Sequence, residues 1–66
     1  MIDYLVILKA CFSDDHAVVM PVLVTAEDKQ AAYNIAASLL NDELPGVAHE
    51  FISVHLVKDI PVLKGE

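Results

Sequence analysis

The run from Ile2 to Phe12 limits this fold more than any other part of the chain. Its even positions, Ile2, Tyr4, Val6, Leu8, Ala10 and Phe12, are all apolar, and successive side chains of a strand point to opposite faces. One face of the strand therefore belongs in a core. The odd positions read Asp3, Leu5, Ile7, Lys9 and Cys11, so the reverse face is charged at Asp3 and Lys9 and apolar between them. A solvated face has no use for Leu5 and Ile7. A chain of 66 residues has little left over to cover a second face, which calls for another molecule.

At this length a single core barely offsets conformational entropy of roughly 1.5 kcal/mol per ordered residue. Association is a common remedy. Cysteine offers no staple, because Cys11 is alone and one cysteine cannot close an intrachain bridge. The expected setting is reducing and cytoplasmic. Met1-Ile2-Asp3 is not a basic leader start. The longest apolar run, Ala17 to Val24, is interrupted by Pro21 and falls well short of the roughly 20 residues that span a bilayer.

Ten acids against four lysines give a net charge of -6, with no arginine. Phosphate recognition needs cations to displace counterions, and arginine is the common reader of guanine edges. Direct nucleic-acid binding is therefore not expected. The acidic balance suits solubility, and it also suits a basic protein surface.

Ser13-Asp14-Asp15 forms a polar turn cluster after the first strand, and His16 to Thr25 returns as a second, giving a β-hairpin. In the second strand Val18, Met20, Val22 and Val24 share one face and Val19, Pro21 and Leu23 the other. Pro21 cannot donate to a ladder, so this strand belongs at a sheet edge or carries a bulge. Thr25-Ala26-Glu27-Asp28 then reads as a helix start, with Thr25 as N-cap and Asp28 three residues on. The helix is expected to end near Leu40, with an apolar stripe of Ala31, Ala32, Ile35, Ala36, Leu39 and Leu40 and with Tyr33 at its shoulder. Asn-Asp and Pro-Gly close it. A third strand, Phe51 to Lys58, places Ile52, Val54 and Leu56 on the core face and Phe51, Ser53, His55 and Val57 on the other.

The order β-β-α-β implies an α+β domain, a three-stranded antiparallel sheet of order 2-1-3 with one helix on one face. Residues 1–59 form the domain and residues 60–66 a C-terminal tail. The reverse face then carries Leu5, Ile7, Val19, Leu23, Phe51 and Val57, a patch of the size that marks an interface. A homodimer through this face is the expected cover, since two-fold dimers are the commonest closed assemblies. Docking on another protein, strand addition at an edge and a folded-back tail are the alternatives.

Chemistry-bearing motifs are sparse. The chain holds no glycine-rich phosphate loop, cysteine pair, His-Glu-x-x-His or nucleophile elbow. His49 and His55 lie six residues apart, with His16 on another element, so no metal site and no cofactor are expected. Asp14, Asp15 and His16 at a hairpin tip have no pocket to exclude water. Nothing here points to an enzyme, although Met20, Tyr33 and Phe51 could line a small-ligand pocket.

The stretch Val18 to Ser38, a strand carrying Pro21 that leads through Thr25-Ala26-Glu27-Asp28 into an alanine-rich helix, resembles small acidic phage-encoded proteins that inhibit host enzymes. The podophage host RNA polymerase inhibitors have this length and β-β-α-β order, and some anti-CRISPR proteins are similar in size and acidity. The likeness covers about a third of the chain. The inhibitors use arginines around their last strand, and residues from Phe51 to Glu66 include none, so no binding residue carries over. The resemblance implies a small phage or mobile-element protein that occupies a surface of a larger host protein. Glu27, Asp28, Asp42 and Glu43, at the two ends of the helix, are the candidate partner contacts. A structural subunit acting only by self-association is the alternative function.

Overall fold

A computed structural model describes residues 1–60. The tail assigned to residues 60–66 lies outside them apart from Ile60. The chain forms β1 (Ile2–Ser13), β2 (His16–Ala26), α1 (Lys29–Glu43), β3 (Ala48–Leu56) and a 3-10 turn, Val57–Asp59. The sheet has the order β2-β1-β3 and is antiparallel throughout. This is the α+β layout expected from the hydrophobic pattern. The molecule measures 38 × 32 × 17 Å, a slab thick enough for one sheet and one helix layer.

The central strand supplies the largest share of the core. Tyr4, Val6, Leu8 and Ala10 are buried on one face, and the helix lays Ala32, Ala36 and Leu40 against Tyr4, Val6 and Leu8, with Val24 and Ala26 from β2 closing one side. Ala32 and Ala36 are completely buried; their short side chains let the helix approach the sheet closely. Ile2 and Phe12 are exposed at 42% and 47%, because the strand overreaches the helix at both ends. Phe12 instead meets the His16 ring edge-on at 6.2 Å across the hairpin.

Pro21 sits on an edge strand, in register opposite Ile7 and without a bulge. The irregularity in the hairpin lies beside the turn, between Cys11 and Ser13. Where sequence assigns the N-cap to Thr25, the structure gives it to Asp28, whose carboxylate accepts a 2.8 Å hydrogen bond from the Ala31 amide. Thr25 remains in β2, where its hydroxyl donates to Asp3 Oδ1 at 2.7 Å across the ladder. Strand pairing through Ala26 ↔ Ile2 delays the helix until the chain has left the sheet. The helix also runs beyond Leu40 to Glu43 before Leu44 caps it, and Gly46 turns the chain with φ 81°. That left-handed backbone suits a residue without Cβ.

The third strand departs most from its simple alternation. Ile7 pairs with Ser53 but Leu8 pairs with Phe51, so Ile52 is an extra residue at a bulge. A one-residue insertion exchanges the faces of everything beyond it. Val54 and Leu56 stay on the helix side, as their pairing with Val6 and Tyr4 requires. Phe51 joins them there rather than on the reverse face. Its ring meets Tyr33 edge-on, with centroids 5.3 Å apart and planes at 88°. The helix correspondingly buries an arc through Ala32, Ala36 and Leu40, flanked by the partly buried Tyr33 and Leu44, while Ile35 and Leu39 are exposed at 39% and 46%.

Candidate interaction surface

The register of the three strands determines what the reverse face holds. β1 contributes Asp3, Leu5, Ile7, Lys9 and Cys11; their partners on β2 are Thr25, Leu23, Pro21, Val19 and Ala17. On β3, Leu5, Ile7 and Lys9 pair with His55, Ser53 and Glu50. Leu5, Ile7, Val19 and Leu23 thus gather on one face as the sequence pattern requires. Leu23 is 70% exposed and Val19 57%, whereas Leu5 and Ile7 are half-buried between their neighbours. Lys29, Asp59 and Ile60 border a depression of about 460 Å³ at Leu5 and Ile7, and among the described residues Val19 and Leu23 are left exposed.

Val57 continues this patch from the 3-10 turn rather than from the strand itself. It lines a shallow depression of about 270 Å³ with Asp3, Leu23 and Thr25. Phe51, the sixth residue assigned to the patch, is removed from it by the bulge.

Polar groups border the apolar centre on three sides, the β2 margin with Val19, Pro21 and Leu23 being apolar. At one end Thr25 and Asp3 are hydrogen-bonded; at the other, Lys9 Nζ lies 3.8 Å from Glu50 Oε2, with both side chains well exposed at 43% and 68%. Along the β3 margin, Ser53 Oγ and His55 Nε2 are hydrogen-bonded at 2.9 Å. An apolar centre bordered by polar groups is the usual anatomy of a protein interface.

The four acidic candidates lie at the two ends of the helix rather than on the strands. Glu27 and Asp28 precede the helix and Asp42 and Glu43 end it, all exposed. Asp28 is already engaged as the helix cap, so one of its oxygens serves the fold. The three residues considered for a ligand pocket do not converge either. Tyr33 and Phe51 line a shallow depression of about 320 Å³ with Lys29 and Gln30, but Met20 pairs with Leu8 from the opposite side of β1. Among the described residues, no three His, Cys, Asp or Glu side chains are grouped to hold a metal ion, and no helix is long and apolar enough to cross a membrane.

Comparison with protein-family models, with curated proteins and with solved structures finds no match to this chain.

Proposed function

We propose that this chain is a small non-enzymatic protein-interaction module of phage or mobile-element origin, dimeric through its open sheet face, that binds and modulates a host protein. The observation that carries this reading is the patch of Leu5, Ile7, Val19 and Leu23, an apolar surface that the described residues leave exposed at Val19 and Leu23 and border with polar groups at both ends and along β3. Burying a side chain of this kind contributes roughly 1.5 to 3 kcal/mol, and a domain this small gains much from such a contribution. The host-directed part of the reading rests on the acidic helix ends and on the likeness of Val18 to Ser38 to phage inhibitors. In a cytoplasmic setting an acidic surface of this kind suits a basic patch on a larger protein.

Solution mass by light scattering, across a series from low micromolar upward, tests the first half. A dimer is expected. A monomer throughout the series would leave the sheet face uncovered by a second copy and defeat the dimeric reading. Capture from bacterial lysate at low salt, with the helix acids reversed in a control chain, tests the second half.

A further inference from the structure

The charges on the reverse face of β1 are arranged as a polarised row. Asp3, Leu5, Ile7 and Lys9 follow one another at alternate positions, an acid at one end, a base at the other and two apolar residues between. Such a row is complementary to its own reverse. When two open faces meet about a two-fold axis with their strands aligned, the axis lies either along β1 or across it. An axis along β1 stacks Asp3 on Asp3 and Lys9 on Lys9 of the two copies. An axis across β1, passing beneath Val6, sets Lys9 over the second copy's Asp3 and Leu5 over its Ile7, each twice.

We infer that two copies of this chain pack face to face with their β1 strands antiparallel, sealed at both ends of the apolar centre by intersubunit Lys9–Asp3 ion pairs. This rests on the reading that the open face is the dimer interface, and it decides between two geometries that reading leaves open. Like charges brought together at an interface select against an arrangement as strongly as opposite charges favour one. Stacked sheets lie about 10 Å apart, a gap that an extended lysine and an aspartate bridge together. Aligned sheets cross at about 30°, and the flexible lysine takes up the resulting offset at the strand ends.

The present partners of both charged groups leave room for the contact. Asp3 uses Oδ1 for Thr25, leaving its second oxygen. Lys9 is 3.8 Å from a Glu50 that is 68% exposed, and exposed pairs of this kind contribute little. The same axis places β2 over β2, so that Leu23 of each copy lies over Pro21 of the other, by the register of both with Leu5 and Ile7. The apolar centre is therefore continuous across two strands.

The decisive variant is Asp3→Lys. It brings an acidic chain nearer neutrality, which by itself favours association, yet it sets lysine against Lys9 of the second copy at both ends. The dissociation constant is expected to rise about tenfold or more at low ionic strength. Lys9→Glu is expected to weaken the dimer similarly, and the double variant Asp3→Lys with Lys9→Glu to recover it, although it too lacks the Thr25 bond. Recovery thereby separates the ion pair from any loss of folding.

Cross-linking fixes the geometry independently. In a Cys11→Ser background, chains carrying Asp3→Cys are mixed with chains carrying Lys9→Cys and treated with a short bismaleimide. Products joining position 3 to position 9 are expected. A dimer indifferent to Asp3→Lys, or one cross-linked 3 to 3 and 9 to 9, overturns the antiparallel seat while keeping the dimer. A wild-type chain that stays monomeric overturns the seat and the dimeric reading together.

Discussion

The rings of Tyr33 and Phe51 meet edge to face at 5.3 Å, joining the outer flank of the helix to the third strand at the point where that strand gains a residue. Without the bulge at Ile52, Phe51 would face away from the helix and Tyr33 would have no aromatic partner. The contact therefore links a local backbone irregularity to the orientation of the helix on the sheet.

Removing either ring should loosen that link. An aromatic pair contributes about 0.5 to 1.5 kcal/mol beyond the area it buries, and Phe51 is half exposed. Phe51→Ala is expected to lower the unfolding free energy by about 2 kcal/mol in urea titration, with a double-mutant coupling to Tyr33→Ala. Because Phe51 lies on the helix face, the solution mass is expected to stay that of the parent. Dissociation of the dimer by Phe51→Ala alone would return this residue to the open face.

The capping assignment separates two neighbouring polar residues. Asp28→Ala removes the acceptor of the Ala31 amide and should cost about 1 kcal/mol, with helix signal lost first on heating. Thr25→Ala removes one exposed ladder bond and should cost at most about 0.5 to 1 kcal/mol. The reverse ranking in thermal denaturation would put the helix start at Thr25 after all.

Ala36 has no exposed surface and sits between the helix and the central strand. Leucine there has nowhere to go without lifting the helix. Ala36→Leu is expected to destabilise by about 1 to 3 kcal/mol in denaturant titration. Ala37→Leu, one position round at a half-buried site, should be distinctly milder, and equal losses would count against the closeness of the helix to the sheet.

On the open face, Leu5→Asp places a carboxylate at the centre of the apolar patch, beside Leu23. The proposed dimer is expected to dissociate while far-ultraviolet circular dichroism retains the helix and sheet signals. Persistence of the parental mass in light scattering would move the interface to another surface.

The helix acids divide by their structural duties. Glu27→Lys, Asp42→Lys and Glu43→Lys change exposed charge without touching the cap, so stability should move within about 0.5 kcal/mol while capture of a basic partner at low salt falls. Asp28 is left out because its reversal would disturb the helix start as well. Capture indifferent to all three reversals would remove the helix ends as the partner surface.

The three strands, their order and the two-sidedness of β1 are legible in the residue pattern. Those features follow from a period of two sustained over many residues, and from a proline that only an edge strand accommodates. The pattern also placed Leu5, Ile7, Val19 and Leu23 on one face, because β1 and β2 pair over that stretch without irregularity. Tertiary structure alone decided the bulge at Ile52, the face of Phe51, the rotation of the helix that leaves Ile35 and Leu39 exposed, and the choice of Asp28 over Thr25 as cap. The apolar run Phe51-Ile52 fits either face locally, and Thr25 and Asp28 are both good caps. What separates the alternatives is how far the strands remain paired and which side chains the central strand holds opposite them, and neither condition is contained in a short window of the chain.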